Sequence, residues 1–346
     1  MGCDRQVSRR GLLASLSLVP ALRRLLGQQA PTFSTDVKVV SVLATVRDKK
    51  GQIVRDLTKA DFLLDEDGRP QTIRYFAQES DLPLTLGLLV DVSPSQQRLV
   101  DDERSASYTF FDQVLREDKD VAFVVHFDAE AELLQNITSS RQRLEKALES
   151  IGESGVQQRP QWGQRDPGPA AGAGRRGGRG GRGGTALYDA TLLASDELMR
   201  KQSGRKALIV LTDGVDTASK VRLEAGVEAA QRADTLVYSV WFEDPDAYGG
   251  SFGGFGGMGR SRGRDPSDGW RALQTISRET GGRVYEVTRK QTIAQVYESI
   301  EEDLRHQYSL GYSPDRADDA RGYHKIHLAT KQKGLTVQTR EGYYGS

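Results

Sequence analysis

The sequence predicts a doubly wound, mostly parallel α/β sheet with a small β-sandwich-like domain beside it. Three observations carry that expectation. Residues 84–90, 121–127, 206–212 and 235–241 are near-continuous apolar runs, amphipathic stretches separate them, and β-branched, partly alternating segments crowd the two flanks. A strand covered on both faces reads as an unbroken apolar run, whereas a half-buried one alternates.

Taken in order, Val37-Lys38-Val39-Val40-Ser41-Val42-Leu43-Ala44-Thr45-Val46 is β-branched, Asp48-Lys49-Lys50-Gly51 supplies a turn, and Ile53-Val54 starts the next extended segment. Residues 61–65 and 71–76 give two more strands around the Glu66-Asp67-Gly68 turn. So few short strands cannot close a core alone. Residues 307–312, 323–330 and 335–340 are also strand-like, so the two chain ends are expected to combine, as 33–80 and 307–346, into one β-domain. Between them, over 82–306, strands alternate with helices at 99–115, 141–151, 186–199, 222–232, 270–280 and 292–306, and 132–137 reads as an antiparallel edge strand. Two glycine-rich insertions, 152–184 and 243–269, lack the apolar content to offset their ordering entropy.

The chain has 346 residues, 48 basic and 48 acidic, so no global charge points to nucleic acid or an acidic membrane. Its one cysteine, Cys3, excludes an internal disulfide and a Cys-based zinc site. Ser8-Arg9-Arg10-Gly11-Leu12-Leu13 followed by an apolar stretch to Leu22 has the pattern of a twin-arginine export signal over 1–30, which implies a periplasmic or extracellular protein. That stretch is too short for an ordinary membrane-spanning helix, and none is expected in the mature protein. Arg23-Arg24 and the Gln28 three places before a cut at Ala30 depart from the pattern, and a cytoplasmic amphipathic tail is the alternative.

The chemistry concentrates at three points: Asp91, Ser93 and Ser95 in Asp91-Val92-Ser93-Pro94-Ser95, Thr185 after Gly183-Gly184, and Asp213 in Leu211-Thr212-Asp213-Gly214. Two carboxylates and three hydroxyls make an all-oxygen donor set for a small hard cation such as Mg²⁺, with Mn²⁺ or Ca²⁺ as alternatives. Only two negative charges surround the ion, so it stays electrophilic enough to accept an external carboxylate. Asp91 and Asp213 each follow an apolar strand and are expected on one edge of the sheet. Taken singly the pieces are ordinary: Asp-x-Ser-x-Ser is a common turn, and Thr185 alone reads as the N-cap of a helix beginning at Ala186.

Together these segments resemble the metal-ion-dependent adhesion site of von Willebrand factor A domains, over roughly residues 82–306. The flanks Leu57-Thr58-Lys59-Ala60-Asp61-Phe62, Glu66-Asp67-Gly68 and Arg340-Glu341-Gly342-Tyr343-Tyr344 resemble those of the secreted, von Willebrand factor A-related proteins of acidobacteria. The resemblance implies a Rossmann-like fold, Asp91, Ser93, Ser95, Thr185 and Asp213 as metal-site residues, and a non-enzymatic role in adhesion, with a partner protein's Asp or Glu completing the metal shell. The Gly/Arg insertion just before Thr185 departs from the family pattern.

The rival readings are a structural envelope protein with a vestigial site and a metal-assisted hydrolase, for which His126 is the only base on offer. Nucleic-acid binding by the Arg/Gly repeats is a third, disfavoured in an exported protein and better read as a solvated spacer. His324 and His327 lie three apart on a strand, hence on opposite faces, so they are not expected to share a metal.

Overall fold

The computed structural model describes residues 39–78, 82–94, 96, 100–151, 184–242, 266–315 and 322–345. The export-type segment, most of both glycine-rich insertions and Ser95 lie outside the described residues.

The chain begins with strands β1 (Val40–Arg47), β2 (Phe62–Glu66), β3 (Arg69–Pro70) and β4 (Ile73–Gln78). The alternating part follows: β5 (Leu84–Asp91), α1 (Val100–Val114), β6 (Val121–Phe127), β7 (Ala131–Thr138), α2 (Arg141–Glu149) and α3 (Leu187–Leu193). It continues with β8 (Arg205–Thr212), α4 (Leu223–Arg232), β9 (Leu236–Phe242), α5 (Pro266–Thr280), β10 (Val284–Val287) and α6 (Ile293–Arg305). Strands β11 (Tyr308–Tyr312), β12 (Gly322–Thr330), β13 (Thr336–Thr339) and β14 (Gly342–Gly345) end it.

The alternating part forms a six-stranded sheet of order β10-β9-β8-β5-β6-β7, parallel except for the antiparallel edge β7. The expected α/β class is therefore the observed one. Side-chain parity explains the two layers of helix. Leu84, Leu86, Leu88 and Val90 of β5 face a core with Phe110 and Phe111 of α1, Leu144 of α2 and Ile300 of α6. Leu89 shares the opposite face with Leu187 of α3, Val227 of α4 and Leu273 of α5. Both central strands, β5 and β8, are buried at every position, which is why each reads as an unbroken apolar run. Gly87 is required there, because a Cβ would lie 2.3 Å from the Phe123 ring.

Strands from the two flanks interleave in two four-stranded sheets, β13-β1-β11-β4 and β14-β12-β2-β3. Val42, Val46 and Tyr308 of the first share one apolar core with Phe62, Leu64, Ile326 and Leu328 of the second. Ile53 makes only an isolated bridge to Arg47 rather than opening a strand. Arg47 of β1 reaches the α/β part, pairing with the buried Asp303 of α6. Among the described residues, no helix is long and apolar enough to cross a membrane.

Two helices depart from expectation. The stretch 186–199 is not one α-helix: after α3 the chain makes a π-helical turn at Ala194–Leu198 and a 3-10 turn at Met199–Lys201. Helix α5 starts at Pro266, where its missing N–H costs nothing, and not at Trp270, so Gly269 belongs to a helix rather than to the insertion.

Candidate metal site

Strands β5 and β8 run parallel as neighbours and end together, β5 at Asp91 and β8 at Thr212. Strands β6 and β7 lie to one side of β5, and β8, β9 and β10 to the other. The winding direction thus reverses between β5 and β8, and the crevice beyond the carboxyl ends at such a point is where open α/β sheets bind ligands.

Asp91 is fully buried at that edge. Its Oδ1 accepts the Ser93 amide at 2.9 Å and its Oδ2 accepts the Thr212 hydroxyl at 2.5 Å. The Ser93 side chain also hydrogen-bonds it, and Asp213 is near enough to act on it as a like charge. Burial pushes the Asp91 carboxyl up to about 7; the Ser93 and Thr212 hydrogen bonds oppose that rise and the Asp213 charge adds to it. Among the described residues Asp91 has no cationic partner. A buried carboxylate with neutral donors and a second carboxylate beside it lacks a positive charge, and the all-oxygen donor set suits a small divalent cation.

Asp213 is 4% exposed and its Oδ1 accepts the Val215 amide at 2.9 Å. Its backbone carbonyl accepts the Trp241 indole N–H at 3.0 Å, and Trp241 packs edge-on against Trp270 of α5. Helix α5 comes this close because two glycines face each other. Gly214, at φ +78°, would bring a Cβ within 2.5 Å of the Gly269 carbonyl, and a Cβ on Gly269 would meet the Asp213 carbonyl at 2.4 Å. Gly269→Ala is expected to cost ~1–3 kcal/mol by forcing these segments apart. It should also weaken divalent-cation binding, a second effect that urea unfolding and calorimetry read separately.

Thr185 is not a helix cap. The N-cap of α3 is Ala186, with no side-chain capping bond. The helix's first amides are taken instead by the loop after β8: Tyr188 N–H by Asp216 and Ser219, and Asp189 N–H by Ser219. The same loop holds the Thr185 backbone on both sides, its N–H donating to the Thr217 hydroxyl at 3.0 Å and its carbonyl accepting Thr217 and Ala218 amides. The Thr185 hydroxyl makes no hydrogen bond among the described residues. Asp91, Ser93 and Asp213 therefore meet at one edge, and Thr185 is fastened to the loop that leaves Asp213. Thr212, Thr217 and the Asp216–Ser219 pair are positioning residues absent from the sequence expectation. The run Asp216-Thr217-Ala218-Ser219 after an Asp-Gly turn was the signal available.

His126 on β6 sits across from Glu132 of β7, with Nε2 and Oε2 at 3.1 Å. Its Nε2 is engaged at the sheet edge, its Nδ1 is buried without a hydrogen bond, and the β5–β6 register pairs it with Val90 rather than Asp91.

A six-stranded sheet of this order, with carboxylate-bearing exits on both sides of its switch point, is a doubly wound, Rossmann-like fold, the class expected from the sequence.

Solved structures similar to the chain include BatB from Bacteroides thetaiotaomicron, at 18% identity over 64% of this chain and 97% of that one, TM-score 0.44. A von Willebrand factor type A protein from Catenulispora acidiphila is 10% identical over 88% of this chain and 73% of its own, TM-score 0.44. Proximal thread matrix protein 1 from the mussel byssus, whose structure has a zinc-occupied MIDAS motif, is 12% identical over 69% of this chain and 50% of that one, TM-score 0.44. No protein-family model matches the chain, and no curated protein matches it.

Proposed function

We propose that this doubly wound fold is a von Willebrand factor A-type, metal-dependent protein-binding module of the bacterial envelope, with Mg²⁺ held by Asp91, Ser93, Ser95, Thr185 and Asp213. The observation that carries the reading is the buried Asp91 carboxylate, served by hydroxyl and amide donors and crowded by Asp213 at the switch point. A bound Mg²⁺ would offer an electrophilic coordination position to a carboxylate from outside. The chain's part is to limit the negative charge to two aspartates and to fill other positions with neutral hydroxyls. Thr212 aims Asp91, and Thr217 with Ala218 fixes the Thr185 loop.

The partner is a protein that presents Asp or Glu, and the activity is binding; the β5–β6 register sets His126 beside Val90 and not beside Asp91. The chain organisation belongs to the same proposal: an α/β domain over 82–306 carried on a β-domain from 33–80 and 307–346. Export rests on Ser8-Arg9-Arg10-Gly11-Leu12-Leu13. Affinity capture from an envelope extract tests the reading. Immobilised full-length protein should retain a partner in Mg²⁺, release it on chelation, and retain none as Asp91→Asn. Capture unchanged by chelator and by the substitution would mean that another surface does the binding.

A further inference from the structure

A second cluster of metal-ligating groups lies in the flank sheets, remote in sequence from Asp91. Strand β12 pairs with both β2 and β14, which brings His324 beside Glu66 and Asp67. His324 points inward and His327 outward, as their spacing requires, so the histidine's partners come from the end of β2 and the turn after it and not from its own strand. His324 Nδ1 lies 2.9 Å from Asp67 Oδ2 and 3.5 Å from Glu66 Oε1. The turn after β2 holds Asp67 in the left-handed region at φ +50°, followed by Gly68 at φ +76°. Its Oδ1 accepts the Lys325 amide at 2.8 Å while its own N–H donates to the Lys325 carbonyl. The histidine ring stacks on Tyr343, and the Tyr343 hydroxyl donates to Glu66 Oε1 at 3.0 Å.

Two features show that ion pairing alone does not complete this cluster. Glu66 is 7% exposed, and its Oε2 is buried without a hydrogen bond, as is the Tyr312 hydroxyl that lies beside the carboxylate. The cluster also opens on a cavity of about 100 Å³ that Gln71, Asp315 and Arg69 help to line, and Gln71 Oε1 is likewise buried without a hydrogen bond. A water occupies roughly 30 Å³, so the space suits an ion with water.

We propose that Glu66, Asp67 and His324 form a divalent-metal site for a Zn²⁺-class ion, with Gln71 or Asp315 as a further donor. The donor spacing fits. Four ligands at 2.0–2.2 Å from an ion stand roughly 3.3–3.6 Å apart. The Glu66–His324 distance already meets this, and Asp67, whose side chain is 49% exposed, can withdraw the few tenths of an ångström needed. The imidazole nitrogen selects a borderline ion over Mg²⁺, two carboxylates with a neutral imidazole balance its charge, and the Tyr343 hydroxyl acts as an outer support. An ion here would clamp residues 257 apart in sequence, tying the amino-terminal hairpin to the carboxyl-terminal strands.

The test uses the full chain as Asp91→Asn, so that the site at β5 is disabled and does not confuse the stoichiometry. Zn²⁺ titrated into this variant should bind with one equivalent and raise its unfolding temperature. His324→Phe, which keeps the ring stacked on Tyr343, and Asp67→Asn, which tolerates the left-handed turn, should each lower that affinity by more than ~100-fold, the upper range for losing a mere supporting residue. If His324→Phe fails to fold, Asp67→Asn decides. Zn²⁺ binding of unchanged affinity in the folded variants, or none by Asp91→Asn, would overturn the proposal.

Discussion

Asp91→Asn is expected to be more stable than the wild-type protein without divalent cations, and to gain nothing when they are added. Burial pushes the folded carboxyl up to about 7 from its ordinary 3.8, so between those values the folded state holds a proton that the unfolded chain has released. Stability bound up with this group is therefore greatest below pH 3.8, declines as pH rises, and levels off above about 7. The whole penalty is ~4 kcal/mol at most. Asparagine keeps the shape and the Ser93 bond without the charge, while the Thr212 hydroxyl can turn to accept the new N–H. Urea unfolding of the metal-free proteins should show wild type losing stability across that window and the variant staying flat. Mg²⁺ should restore the wild type alone, and its affinity should weaken as pH falls below about 7, because binding must displace the Asp91 proton. A variant less stable than wild type above that pH would show that the carboxylate is not destabilising in the free protein.

Arg47→Ala should destabilise the protein by ~3–5 kcal/mol, the usual cost of leaving one member of a buried pair behind. Asp303 is fully buried on α6, paired with Arg47 of β1 and accepting the Tyr285 hydroxyl at 2.9 Å. Burial holds the Asp303 carboxyl above its ordinary value even with Arg47 beside it. Without the guanidinium that rise grows, so the loss should be largest at high pH and shrink once the carboxyl takes a proton. Arg47→Met with Asp303→Leu should recover much of the loss, since no charge is then stranded. Urea unfolding of the two single variants and the pair closes the cycle; additive losses would mean that the pair is not coupled.

How much of this was legible in the sequence depends on the range of the interaction. Strands β5, β6, β8 and β9 could be read because burial on both faces makes the apolar run itself the signal. Strand β14, Gly-Tyr-Tyr-Gly, carries no such pattern and is a strand because β12 pairs with it. The exit of Asp91 and Asp213 on one sheet edge followed from their strands. The role of Thr185 did not: a threonine before a helix looks like a cap, and only the arrival of Asp216 and Ser219 from about 30 residues away removes that job. His324 shows the same limit, since its spacing to His327 correctly separates the two while hiding the carboxylates of Glu66 and Asp67.

Calorimetric titration of Mg²⁺ into the wild-type protein, Asp91→Asn and Thr185→Ala reads the site at the ends of β5 and β8 itself. Wild type should bind one equivalent, Asp91→Asn none, and Thr185→Ala should bind more weakly with unfolding behaviour otherwise intact. Equal affinities for all three proteins would contradict this assignment, because the divalent cation would then be bound somewhere other than the paired ends of β5 and β8.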